Sequence, residues 1–274
     1  MKRVRAENPE STAHMIDIHC HILPGIDDGP LSIAESLVMV DQALADGIKT
    51  IVATPHTFNG VYTTPSEAVT GGVDSLNRIL TDKNIRLRIC PGAEVHTCDV
   101  FSRKIIDGLA GTINHTGKYV LVEFPFQTIN PGTSEELFQL KLKGITPIIA
   151  HPERNILFQR DIDQLYDIVG MGCLVQITAM SITGELGTAA MGCAHTLLQR
   201  HLAHVIASDA HSPGSRPPIL SNGVDAAADI LGSMAEARKM VTDIPRAILC
   251  GDSIEIPDPL RPLEMKKKWW QVFR

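Results

Sequence analysis

Six times along this chain a short run of β-branched or aliphatic residues ends on a histidine or a carboxylate, and that repetition constrains the fold more than any other feature. The instances are Met15-Ile16-Asp17-Ile18-His19-Cys20-His21, Thr50-Ile51-Val52-Ala53 before Thr54-Pro55-His56, Gly92-Ala93-Glu94, Val122-Glu123, Thr146-Pro147-Ile148-Ile149 before Ala150-His151, and Ser208-Asp209-Ala210-His211. Between them lie helical periods. Ser32 with Glu35 is a capping box before Leu37, Val40, Leu44 and Ala45, stopped by Gly47, and Thr64-Pro65-Ser66-Glu67 starts another helix with proline at its first position. Strand and helix patterns alternate throughout, which predicts an α/β fold on a parallel sheet. Strands are expected at 15–22, 50–55, 86–92, 119–124, 146–150, 173–178 and 204–208, with a short helix near Val100–Ile106 and a turn-rich connection to 118. Seven strands make a closed barrel one strand short of the usual eight.

In such barrels the functional side chains sit at the C-terminal ends of the strands, so residues remote in sequence meet at one mouth. Strand alternation turns Asp17, His19 and His21 one way and Ile16, Ile18, Cys20 and Ile22 the other. Two imidazoles about 6–7 Å apart on one strand face can converge on one divalent ion. With His56, His151 and His211, and with Glu94, Glu123, Asp209 and Asp28, the donors exceed what a single ion needs, so two or three metals are implied. Burying that many ionisable groups without metal would be costly. Asp28 has the alternative of capping a loop and Glu123 of supporting the ligands. Asp27 reads as a turn residue of the Pro24–Pro30 loop. His14, His96, His115, His195, His201 and His204 fall outside the set, although His96, two residues after Glu94, could line the cleft.

At 274 residues with 44% hydrophobic content, the chain suits one large core, expected over 15–257. The formal charge of −6 disfavours a nucleic-acid surface, while leaving room for a locally positive metal centre that attracts an anion. Six cysteines include no Cys-x-x-Cys pair, and none has an arginine six positions later, so they read as small buried hydrophobes rather than nucleophiles. Residues 1–14 are polar and lack the apolar stretch of a secretory signal, and no segment reaches the length of a bilayer span, so a cytoplasmic protein is expected. The first fourteen residues read as a disordered extension, with Met15 as an alternative start. Residues 258–274 form a tail in which Lys266-Lys267-Lys268 precede Trp269, Trp270 and Phe273, a pattern suited to weak contact with a membrane surface.

Taken together, Asp-Ile-His19-Cys-His21, Asp27-Asp28-Gly-Pro, the lone His56, Gly-Ala-Glu94-Val, Val-Glu123-Phe, His151-Pro-Glu-Arg154 and Ser-Asp209-Ala-His211 with Arg216-Pro-Pro resemble the polymerase-and-histidinol-phosphatase (PHP) superfamily. Within it they resemble the metal-dependent protein-tyrosine phosphatases of bacterial capsule and exopolysaccharide synthesis, from about Met15 to Pro257. The resemblance implies a distorted (β/α)7 TIM-like barrel with a trinuclear centre at the C-terminal strand ends, most often manganese, with iron or zinc as alternatives. It implies that His19, His21 and Asp209 hold one ion, that Glu94 bridges it to a second held by Glu123 and His151, and that Asp28, His56 and His211 hold the third. Arg154 and Arg216 match the phosphate-contacting arginines, whose planar forks suit phosphoryl oxygens. Cys20 stands where relatives often carry serine. The implied reaction is hydrolysis of phosphotyrosine by metal-activated water, on a membrane-associated tyrosine kinase of polysaccharide synthesis. The rival within the superfamily is a small-molecule phosphoesterase acting on histidinol phosphate or nucleotides. A non-catalytic phosphotyrosine-binding regulator is a rival of another class, but would lack ligands that are all present here.

Overall fold

Parallel ladders join all the paired strands of the computed structural model, which describes residues 14–255 and 258–260. They are β1 (Met15–Cys20), β2 (Ile48–Ala53), β3 (His56–Thr57), β4 (Arg88–Pro91), β5 (Glu94–His96), β6 (Tyr119–Glu123), β7 (Thr146–Ala150), β8 (Leu174–Thr178) and β9 (Val205–Ala207). The seven expected strand paths are present, but two are broken. Thr54-Pro55 divides the second into β2 and β3, and Gly92-Ala93 divides the third into β4 and β5. Proline has no N–H for a ladder, so a break at Pro55 follows from its chemistry.

The breaks divide the hydrogen bonding into a sheet of order β1-β2-β4 and a second of order β3-β5-β6-β7-β8-β9. At the open edge, Asp209 N–H donates to the His19 carbonyl at 2.8 Å and His21 N–H to the Ala210 carbonyl at 2.8 Å, so the chain just after β9 meets the top of β1. This is a distorted α/β barrel, joined at its mouth by loop bonds rather than by a continuous ladder.

The first helix, Ile33–Asp46, starts as the capping box predicts. Ser32 accepts from Glu35 N–H at 3.3 Å, while the Glu35 carboxylate reaches back to Leu31 N–H at 2.8 Å, one residue beyond the Ser32 amide. Gly47 ends it at φ 94°, a left-handed backbone that glycine adopts without penalty. In the next helix, Ser66–Asp82, Pro65 is the cap rather than the first helical residue. The short helix of the ambiguous stretch is Phe101–Ile106, followed by a 3-10 turn at Ile113–His115.

Apolar burial falls into two layers. A smaller cluster gathers Ile16, Ile18, Val52, Cys90, Leu121, Ile148, Ala150, Leu174, Val205 and Ala207 from the strands, with Ile113 and Ile248. A larger one takes the other strand faces and the surrounding helices. Here the expected alternation of the first strand needs correction. Ile16 and Ile18 belong to the smaller cluster and Cys20 and Ile22 to the larger, and the pairing of β1 with β2 shifts register between Asp17 and Cys20. The irregularity inserts one residue, so Ile18 and His19 no longer alternate as in a regular strand. Asp17 does not join the metal-facing side chains; its carboxylate accepts from Ser208 N–H at 3.0 Å and from the Ser208 hydroxyl, tying β1 to the end of β9.

Residues 258–260 stay on the barrel, with the Tyr166 hydroxyl donating to the Pro259 carbonyl and Leu260 N–H to the Arg200 carbonyl at 2.8 Å. The polar leader up to residue 13 and the basic-aromatic segment from 261 lie outside the described residues. Among the described residues no helix is long and apolar enough to cross a membrane.

Candidate metal centre

Six of the seven strand paths deliver a donor near or just beyond their C-terminal ends, β8 being the exception: His19 and His21 from β1, His56 from β3, Glu94 from β5, Glu123 from β6, His151 after β7, and Asp209 and His211 after β9. Asp28 comes from the loop after β1. His151 and Asp209 have positive φ, 31° and 49°, an uncommon backbone for such residues that marks both turns as shaped for the site.

Three imidazoles are oriented by a hydrogen bond on one nitrogen, which leaves the other facing the carboxylates. His19 Nδ1 donates to the Gln176 Oε1 at 2.8 Å, His21 Nδ1 to Asp27 Oδ2 at 2.6 Å, and His211 Nδ1 to the Asp209 carbonyl at 2.9 Å. Their Nε2 atoms then converge. His19 Nε2 is 3.3 Å from Glu94 and 3.2 Å from Asp209, His21 Nε2 is 3.3 and 3.4 Å from the same two carboxylates, and His211 Nε2 is 3.4 Å from Asp28. His151 Nε2 lies 2.8 Å from Glu94 and 3.9 Å from Glu123. His56 presents Nδ1 to Glu94 at 2.9 Å and Glu123 at 3.6 Å, and Nε2 to Asp28 at 3.5 Å.

Three overlapping donor sets result, each with its ligand atoms within 4.8 Å of one another: His19, His21, Glu94 and Asp209; His21, Asp28, His56 and His211; and His56, Glu94 and Glu123. Eight of the nine expected ligands fall within these sets, and the ninth, His151, stands outside them but reaches Glu94 at 2.8 Å. The grouping differs in detail from the resemblance, since His21 also stands with Asp28, His56 and His211, and His56 with Glu94 and Glu123. The donors fit divalent ions on a further observation. Among the described residues, buried His56 Nδ1, Glu94 Oε2 and Asp209 Oδ1 make no well-aligned hydrogen bond, although the first two face each other at 2.9 Å, a costly state that a cation among them would relieve. Imidazole nitrogen and carboxylate oxygen suit manganese, iron or zinc.

The electrostatics carry the same imprint. Burial, reinforced by the charge of Glu94, pushes the Glu123 carboxyl up to about 8. Burial also opposes ionisation of Glu94 and Asp209, but the surrounding histidines, together with Arg216 beside Asp209, outweigh it and hold both well below the usual carboxylate range. His151 is brought down to about 4 by burial and by Arg154. Arg154 and Arg216 converge on a single atom, Asp209 Oδ2, Arg154 at 2.5 Å. Their side chains are 19% and 25% exposed while that of Asp209 is 2% exposed, so the guanidinium groups bridge solvent and the buried donors.

Two residues that sequence reasoning did not assign prove to orient the ligands. Asp27 accepts from Gly29 N–H at 3.0 Å, as a turn residue would. It is nonetheless 8% exposed, and its other oxygen holds His21 and accepts from His56 N–H at 3.0 Å. The loop passes so close to β1 that a Cβ on Gly29 would stand 2.4 Å from the His21 carbonyl oxygen. Gln176 left one signal, a polar residue within the apolar run Leu174-Val175-Gln176-Ile177. His96 is half-buried with Nδ1 on the Thr97 carbonyl at 3.0 Å and joins none of the three sets. Glu153 of His-Pro-Glu-Arg is fully buried and accepts from Thr178 N–H at 2.9 Å, a structural bond. Cys20 lies in the apolar layer, and the described cysteines form no disulfide.

Comparison with known proteins agrees with this geometry. Residues 15–250 match the family described as capsular polysaccharide synthesis, CpsB/CapC. The chain is 41% identical over 203 residues to the tyrosine-protein phosphatase YwqE of Bacillus subtilis, covering 74% of this chain and 79% of the relative. It is 33% identical over 241 residues to the tyrosine-protein phosphatase CpsB of Streptococcus pneumoniae, covering 86% and 98%. A solved structure from a study of YwqE and CpsB, described there as unique metal-dependent tyrosine phosphatases, superposes with a TM-score of 0.86 at 35% identity, covering 90% of this chain and 99% of that one.

Proposed function

This chain belongs to the CpsB/CapC family of capsular polysaccharide synthesis, and from that premise we propose that it is a metal-dependent protein-tyrosine phosphatase, a phosphoric monoester hydrolase. The observation that carries the reading is the convergence of eight clustered donors, His151 beside Glu94, and two arginines at one mouth. We propose three ions, manganese foremost, held by His19, His21, Asp28, His56, Glu94, Glu123, His151, Asp209 and His211.

Divalent ions held there supply charge for the phosphoryl oxygens and lower the pKa of water, so that no covalent intermediate on the protein is required. The protein's own groups do the rest. Gln176, Asp27 and the Asp209 carbonyl present three imidazoles in the tautomer that ligates through Nε2. Arg154 and Arg216, anchored on Asp209, offer their remaining N–H groups to the phosphoryl oxygens and neutralise charge that builds in the transition state. The leaving group is a phenolate with a pKa of about 10, so departure asks little of a general acid. The substrate we propose is a tyrosine-phosphorylated protein of polysaccharide synthesis in the cytoplasm, a membrane-associated kinase by the family's logic.

The test pairs metal analysis of the purified protein with turnover of a phosphotyrosine peptide and of histidinol phosphate, with and without added manganese. Peptide turnover that requires metal, prefers the peptide and falls about a hundredfold or more in Asp209→Asn is expected. A preference for histidinol phosphate, or near-native turnover by metal-loaded Asp209→Asn, overturns the assignment.

A further inference from the structure

One exposed aromatic stands beside the metal centre and takes no part in holding it. Phe126 follows β6 by three residues and is 43% exposed. The Arg154 guanidinium carbon lies 4.9 Å from its ring centroid, and the His151 ring stacks near it at 6.0 Å and 24°. An open groove of about 480 Å³ continues outward from this point, lined by Phe126, Arg154, Gln159, Leu186, Thr188 and Ala189. Arg154 therefore belongs to both places, bound to Asp209 at the metal centre and packed on Phe126 at the head of the groove.

Bond connectivity turns this juxtaposition into selectivity. In an aryl phosphate the ester oxygen is bonded directly to the ring, so a phosphoryl group against Arg154 brings the ring into the neighbourhood of that guanidinium. In an alkyl phosphate a methylene and then the backbone occupy the same place. Offset stacking on an aromatic wall, or contact with an arginine face, rewards the first and not the second. Resting on the phosphatase reading, we propose that Phe126 is a specificity-determining residue that receives the tyrosine ring. The groove over residues 186–190 takes the substrate residues that flank the phosphotyrosine.

Competition by phenylphosphonate and methylphosphonate against a phosphotyrosine peptide, on the metal-loaded protein, isolates the ring. Phe126→Ala is expected to lower the preference for the phenyl compound roughly threefold to tenfold, with inorganic phosphate inhibiting as before and Phe126→Leu falling between. If Phe126 merely props Arg154, the variant weakens both phosphonates and inorganic phosphate alike, and the unchanged ratio overturns the inference. For the groove, Ala189→Trp is expected to raise the KM of the peptide several-fold and leave that of phenyl phosphate unchanged. Equal effects on the two substrates remove the groove from the proposal. A metal-loaded wild type inert toward the peptide overturns the phosphatase reading and this inference together, whereas an active wild type with an unaltered phenyl preference in Phe126→Ala overturns this inference alone.

Discussion

At the scale of single residues, the division of labour is between groups that face the site centre and groups that hold them there. Asp27 shows it best, because one carboxylate fixes the His21 ring at 2.6 Å and the His56 backbone at 3.0 Å. Asn in its place keeps the size but loses the charge that favours His21 as a Nδ1–H donor. Asp27→Asn is expected to weaken metal affinity about tenfold to a hundredfold while the barrel stays folded, as metal competition titration would show. Unchanged affinity would return Asp27 to the role of a turn residue. Arg154→Ala and Arg216→Ala are expected to cost about 2–4 kcal/mol each in kcat/KM, and steady-state kinetics showing under a tenfold loss would detach them from the phosphoryl group. Eight of the nine donors were legible because each lies at or just beyond the end of an apolar run, a pattern readable in one dimension, whereas Asp28 lies in the loop after β1. Asp27 and Gln176 were not legible, since an orienting role is a relation to another side chain, and the neighbours that reveal it lie 6 and 157 positions away.

Among the elements, periodicity located every strand path and missed what interrupts them. Alternation of β1 predicts Ile16 and Cys20 on one face, yet a single register shift sends them to different layers while His19 and His21 stay together. Such a bulge depends on how β1 meets β2, which no window of one strand contains. A buried histidine at the start of β9 gives this scale its own test. His204 is 3% exposed, its Nδ1 accepts from Val175 N–H at 2.9 Å, its Nε2 has no hydrogen-bond partner among the described residues, and burial lowers it to about 4. A folded value below the unfolded 6.5 means that its neutral form suits the native state. Its contribution is therefore present above pH 6.5 and is lost as pH falls toward 4, because the unfolded chain takes up the proton first. Between pH 7 and pH 5 the loss attributable to His204 is about 2 kcal/mol. Urea unfolding at both pH values should show the wild type losing that much more stability than His204→Gln. Equal losses in the two proteins would place the acid sensitivity elsewhere.

For the whole molecule, the mouth is where separate stretches of chain meet, and binding there is linked to proton uptake and to folding. Strand and helix alternation made the α/β class and the barrel readable, but the manner in which the ring joins was not, because it rests on loop bonds between His19, His21, Asp209 and Ala210 rather than on a ladder. The same loops bear donors, so ions bound at the mouth should stabilise the joint between the first and last strand paths. The proton balance follows from the site's own groups. Burial opposes protonation of His19, His21 and His56, yet the facing carboxylates raise all three above the usual histidine range, and burial lifts Glu123 to about 8. At pH 7 the metal-free site therefore holds a proton on Glu123, and its imidazoles are shifted toward the protonated form, whereas His151, near 4, is already neutral. Metal binding must expel those protons, and affinity should weaken steadily as pH falls below 7. Titration calorimetry with manganese in buffers of different ionisation enthalpy is expected to show net proton release at pH 7, together with a rise in Tm that grows with metal concentration. Binding with no proton release, or with affinity unchanged from pH 7 to pH 5, would mean that the ions sit on groups other than these imidazoles and Glu123.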